Sequence, residues 1–219
     1  MSVQLIVWRR RDALVRAWVR DPLIQVQVES PQALPRLVFI TDPEPDASVG
    51  KLGRRRPDRV AVIKAPGDPD AQASVWVASE YGSYKAAYLA FLREIYQVSA
   101  TPADLTGYDV DHLLNRARSP QDTTFIRIEA VRSDVNQAWG RLFEATASDP
   151  RFFANQARER RTMSYMICAK LGGQMPPLGP TDQPGLDRLV RYFVSIGLRE
   201  AEARSGIESM LRFAYQRRS

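Results

Sequence analysis

The stretch from Tyr108 to Gly140 constrains this chain most. Thr124 to Val131 (Thr-Phe-Ile-Arg-Ile-Glu-Ala-Val) alternates like a strand. Behind it Ser133-Asp134 reads as a helix N-cap, and Val135-Asn136-Gln137-Ala138-Trp139-Gly140 opens the helix. Ahead of the strand stands Asp111-His112, and His112 is the single histidine of the protein. The order predicts a β-β-α unit that brings Asp111, His112 and Asn136 together around one divalent metal ion.

These residue types suit one kind of chemistry. Phosphodiester hydrolysis needs a base to activate water and a cation to take up charge on the phosphate. Neutral histidine serves as a base near pH 7, since its ordinary pKa is about 6.5. Mg²⁺ (or Mn²⁺) prefers oxygen ligands and keeps several waters, so one carboxylate and one amide oxygen suffice to hold it. A nearby arginine stabilises the extra phosphate charge. Arg127 on the strand, and Arg116 or Arg118 in the preceding loop, are the candidates.

At these residues the chain resembles the His-Me finger (HNH-like) nucleases, and most of all the recombination endonuclease VII type. The matching residues are Asp111-His112 at the end of a first strand, Arg127-Ile128 in the second, and Asn136 to Gly140 at the helix start. The resemblance implies a DNA-cutting nuclease, less readily one for RNA, of phage, mobile-element or toxin type. It makes Asp111 and Asn136 metal ligands, His112 the general base, and Arg127 with Arg116 the phosphate-neutralising pair. It covers about a seventh of the chain and departs from the family twice. The paired cysteines of a zinc site are replaced by the lone Cys168, so no structural zinc is expected, and the asparagine that orients the histidine is missing from Phe-Ile-Arg-Ile. The alternative is a non-catalytic nucleic-acid-binding or structural protein that keeps a degenerate finger. On a plain structural reading of the same residues, Asn136 is a first-turn residue serving the backbone and Arg127 the solvent-facing member of a strand.

Charge points the same way as the motif. The 219 residues carry 31 Lys and Arg against 25 Asp and Glu, a net charge of +6, which favours an anionic partner, most simply nucleic acid. Thr41 to Pro57 reads as an exposed loop in which Lys51, Arg54, Arg55 and Arg56 form a phosphate-contact patch or a solvated face. Arg118, Arg158 and Arg161 join them as nucleic-acid contacts, the last two on the polar face of an expected helix from Arg151 to Leu171. Ser48-Val-Gly-Lys51 lacks the glycine and hydroxyl residue of a phosphate-binding P-loop. One cysteine excludes an internal disulfide framework. No apolar run is long enough to span a membrane, and in Met1 to Arg11 the charges follow the apolar residues. A cytoplasmic protein, or one delivered by a specialised secretion system, is therefore expected.

The rest of the chain reads as α+β in three regions. A β-rich part, 1–98, has strands at Val3–Trp8, Leu23–Val28, Leu37–Ile40, Val60–Lys64 and Ser74–Ala78, with Trp8 and Trp76 expected in the core. It ends in a helix from Ser79 to Val98, whose stripe of Tyr81, Tyr84, Tyr88, Phe91, Leu92 and Ile95 faces that core. The finger follows at 99–147. A basic helical region, 148–219, ends in helices at Leu186–Ile196 and Arg199–Arg217.

Overall fold

A computed structural model describes residues 1–40, 48–64, 67–115, 123–147 and 161–215. The first element is the helix α1 (Val3–Arg20), where the sequence suggests a strand over Val3–Trp8. Six residues are too few to separate the two periods. Carried on, the buried positions are Val3, Ile6, Val7, Arg10, Arg11, Leu14, Val15 and Trp18, a helical stripe that runs straight through the arginine cluster. Ser2 caps the helix, its Oγ accepting the Leu5 N–H at 3.2 Å. Trp8 falls off that stripe and is 54% exposed, so it is not a core residue.

Then come β1 (Gln25–Val28), a short helix α2 (Leu34–Ile40), β2 (Ser48–Gly50) and β3 (Val60–Lys64). The apolar run at 37–40, expected as a strand, belongs to α2, because four apolar residues show no period of their own. Next are α3 (Pro69–Gln72), β4 (Ser74–Ala78) and α4 (Tyr84–Tyr96). The finger supplies β5 (Tyr108–His112), β6 (Phe125–Arg132) and α5 (Ser133–Ala147), so the β-β-α order is present. The chain closes with β7 (Arg161–Thr162) and the helices α6 (Tyr165–Leu171), α7 (Gln183–Ser195) and α8 (Glu200–Tyr215). The part of the expected helix at 151–160 lies outside the described residues, and at 161–162 a strand stands in its place.

All pairings are antiparallel, in the order β2-β3-β4-β6-β1-β7, with β5 added to β6. The class is α+β. Strand alternation divides the apolar residues: Val60, Val62, Val75 and Val77 join α1 and α4 on one face, while Ala61, Ile63, Trp76 and Ala78 pack with α2 on the other. A third cluster holds Trp18, Ile126, Trp139 and Phe143 together with the last three helices. Elements from all three expected regions thus share one sheet.

The long strand β6 joins these parts. Its first half pairs with β4 and β1, through Ile126 opposite Val77 and Gln27, and its second half pairs with β5, through Ile128 opposite His112. In the middle, Arg127 and Glu129 project to the same side. The Glu129 side chain has no exposed surface. Arg10 grips it from α1 with two bonds, Nη2 to Oε1 at 2.5 Å and Nε to Oε2 at 3.2 Å. Arg127 donates to Oε1 at 3.1 Å and the Tyr88 hydroxyl to Oε2 at 3.2 Å. The remaining Arg10 nitrogen reaches the carbonyls of Pro69 and Ala73 and the Tyr96 oxygen. Tyr96 in turn donates to Asp70, which is paired with Arg9.

Burial alone would push the Glu129 carboxyl up, but the charges and hydrogen bonds of Arg10 and Arg127 outweigh it and hold the group below its ordinary value. Removing one partner of such a buried network costs about 3–5 kcal/mol. Glu129→Gln is expected to lose about that much in urea unfolding at neutral pH. A folded pKa below the unfolded value of about 4.3 adds stability above that value and loses it as pH falls through the folded one. A melting series from pH 7 to pH 3 should therefore show a shallower acid decline in Glu129→Gln than in wild type. Equal slopes would mean that the fold leaves the Glu129 carboxyl at its unfolded-state value.

Candidate active site

The finger is closed at its base by backbone geometry. Gly107 adopts φ 82°, a left-handed turn that suits glycine, and its carbonyl accepts the Ser133 N–H at 2.9 Å. The end of β6 is thereby tied to the start of β5, and α5 begins directly at Ser133. Two acids, Asp109 and Asp111, project from one face of β5, and His112 from the other. Asp109 is used inside the finger, accepting the Ser133 hydroxyl at 2.8 Å and the Asn136 Nδ2 at 3.3 Å.

A pocket of about 290 Å³ opens where β5 ends. Asp111, His112 and Asn136 all line it, together with Tyr84 of α4, Trp139 and Phe143 of α5, and Lys170 of α6. His112 is 8% exposed, and its ring lies 4.5 Å from that of Tyr84, tilted by 59°. The Lys170 ammonium stands 2.5 Å from Asp111 Oδ2, with side-chain exposures of 12% and 22%. That contact crosses 59 residues and attaches the C-terminal helices to the finger.

The remaining sequence candidates scatter. Arg127 is 6% exposed and committed to Glu129, so it is neither a solvent-facing strand residue nor among those that line the pocket. The alternation that made it look available turns it toward Glu129 instead. Arg116, Arg118 and Arg158 lie outside the described residues. Arg161, expected on a helix surface, is 9% exposed in β7, opposite Gln27. Lys51, Arg54 and Arg56 are exposed, and Arg56 pairs with Asp58 at 2.7 Å. Arg55 donates to the Ala86 carbonyl at 3.1 Å, so the basic loop rests against α4.

Lys170 was not legible as a site residue. In sequence it is one basic residue near the end of the helix expected from Arg151 to Leu171, and no local spacing links it to Asp111. Nor does any spacing link Arg10 to Glu129.

Whether the pocket suits a metal is a question of donor chemistry. Among the described residues no group of three or more His, Cys, Asp or Glu side chains could hold an ion. A carboxylate (Asp111) and an amide oxygen (Asn136) are nevertheless hard oxygen donors, the ligand type that Mg²⁺ takes while retaining several waters. A divalent ion held there would have to share Asp111 with Lys170, whose ammonium already pairs with that carboxylate. Among the described residues, no helix is long and apolar enough to cross a membrane. Comparison with protein families, with curated proteins and with solved structures finds no match to this chain.

Cys168, two residues before Lys170, is fully buried, and burial pushes its thiol well above the ordinary cysteine value. A protonated, enclosed thiol is a poor nucleophile. Ellman's reagent at pH 8 is expected to leave Cys168 unmodified in the folded protein and to titrate one thiol in urea. Rapid labelling without denaturant would show that α6 opens readily.

Proposed function

We propose that this protein is a divalent-metal-dependent nuclease acting on nucleic acid, DNA before RNA. One observation carries the reading: Asp111, His112 and Asn136, from the end of a strand and the first turn of a helix, line the same pocket. The exposed Lys51, Arg54 and Arg56 support an extended polyanion as substrate, since phosphate contacts supply most non-specific affinity.

In this reading the Asp111 carboxylate and the Asn136 amide oxygen hold the ion. Bound there, Mg²⁺ or Mn²⁺ would neutralise charge on the phosphate. His112 takes one proton from a water whose oxygen forms the new bond to phosphorus. The bond to the leaving sugar oxygen breaks, and that oxygen recovers a proton from solvent. Tyr84, packed at a tilt against the imidazole, limits the orientations of the ring and so does the work of an orienting residue. Asp109 aligns the Asn136 amide through its Nδ2, which directs the amide oxygen away from Asp109.

The second reading, a nucleic-acid-binding protein with a degenerate finger, is favoured by the lysine that already sits on Asp111 and by the loss of Arg127 to Glu129. Supercoiled plasmid and linear RNA, incubated with Mg²⁺ or Mn²⁺ and with chelator, separate the two. Metal-dependent nicking is expected in wild type, with a loss of about 10²-fold or more in His112→Ala, the usual scale for a general base. Intact substrates that wild type and His112→Ala both shift on a gel would establish the binding protein instead.

A further inference from the structure

We infer that Lys170 is the phosphate-binding cation of this pocket, held on Asp111 until a nucleic-acid phosphate enters and then shared between the two anions. The inference rests on the nuclease reading for the identity of the anion. It supplies a role that the sequence assigned elsewhere.

Three observations converge on it. Lys170 is the one cationic side chain among the described residues that line the pocket. Arg127, the strand arginine expected to neutralise the phosphate, is enclosed with Glu129 and makes its hydrogen bonds there. The Lys170–Asp111 contact is also only partly buried, at 12% and 22% exposure, so the ammonium is within reach of a ligand in the pocket.

The chemistry then follows from charge. A phosphate brought beside Asp111 places two anions next to each other, and their repulsion has to be offset locally. A lysine suits this because its ammonium is a point charge on a flexible four-carbon stem, able to turn between neighbours without a fixed fork geometry. The anchoring end is rigid. Cys168, Ala169 and Leu171 are buried on either side of Lys170, and Gly172 ends α6 by donating to the Cys168 carbonyl. Only the lysine stem is therefore free to change partners. No covalent step is involved, so the role is readable from binding alone.

The test is binding of a fluorescein-labelled 20-base-pair DNA in chelator, followed by anisotropy over a range of KCl concentrations. Wild type is compared with Lys170→Met and Lys170→Arg, and Asp111→Asn with Asp111→Asn/Lys170→Met. Lys170→Met is expected to weaken binding about tenfold and to lower the slope of log K against log salt by about one, the signature of a lost phosphate contact. Lys170→Arg, which keeps the charge, should retain the slope. If Lys170→Met does not fold because Asp111 is left without its partner, the second pair decides, since neither member carries that carboxylate. Asp111→Asn should bind more tightly than wild type, and the double variant should lose about tenfold relative to Asp111→Asn. Equal affinity and equal slope within that pair would overturn the role of Lys170, as would a wild type that binds no DNA. The outcome is separate from catalysis. A protein that never cuts but shows the Lys170-dependent slope refutes the nuclease reading and keeps the phosphate contact. One that cuts through His112 but shows no such slope keeps the nuclease reading and discards the contact.

Discussion

A carboxylate enclosed in protein without water must be met by positive charge, and the way Glu129 is met organises this molecule. Its partners arrive from the N-terminal helix (Arg10), from its own strand (Arg127) and from α4 (Tyr88). Breaking any of these contacts leaves a buried group with an unsatisfied charge or hydrogen bond, which costs more than an intact pair contributes. The network therefore specifies which face of α1 turns inward and where it crosses β6. Apolar packing along α1 supplies adhesion but would tolerate sliding. The bidentate Arg10–Glu129 contact does not.

From that anchored strand the pocket follows by register. β6 holds β5 opposite its second half, so His112 stands across from Ile128 and Asp111 across from Glu129. The chain turns into α5 at once, and the two helical turns from Asn136 to Phe143 form one wall. α6 then closes the far side with Lys170. Two ion pairs thus divide the work: Arg10–Glu129 is fully enclosed and holds the frame, while Lys170–Asp111 is partly open and borders the space where a ligand enters. Enclosure makes the first contact permanent, and access to water leaves the second exchangeable.

Much of the frame was legible from local pattern. Val60–Lys64, Ser74–Ala78 and the run after Thr124 are strands, and the finger order β5-β6-α5 follows from alternation and the Ser133 helix start. Where the pattern was short, it misled. Val3–Trp8 and the apolar run ending at Ile40 lack the length to show a helical period, and both belong to helices. The three arginines at 9–11 lie just past the run expected as a strand. Inside α1 they occupy three consecutive directions around the helix, which sends Arg10 and Arg11 inward and leaves Arg9 at the surface with Asp70.

Local pattern in the sequence determined the α+β class and the β-β-α order, and the motif named Asp111, His112 and Asn136 as candidates. These depend on residues close in sequence, for which strand and helix spacing already predict faces. Tertiary structure alone decided which charges are structural and which border the pocket. Arg10 meets Glu129 across 119 residues and Lys170 meets Asp111 across 59. Chain separation on that scale carries no periodic signal, and a guanidinium or an ammonium looks the same in sequence whether it faces solvent, a carboxylate or a substrate. Burial and proximity distinguish these cases, and both arise only when distant elements pack.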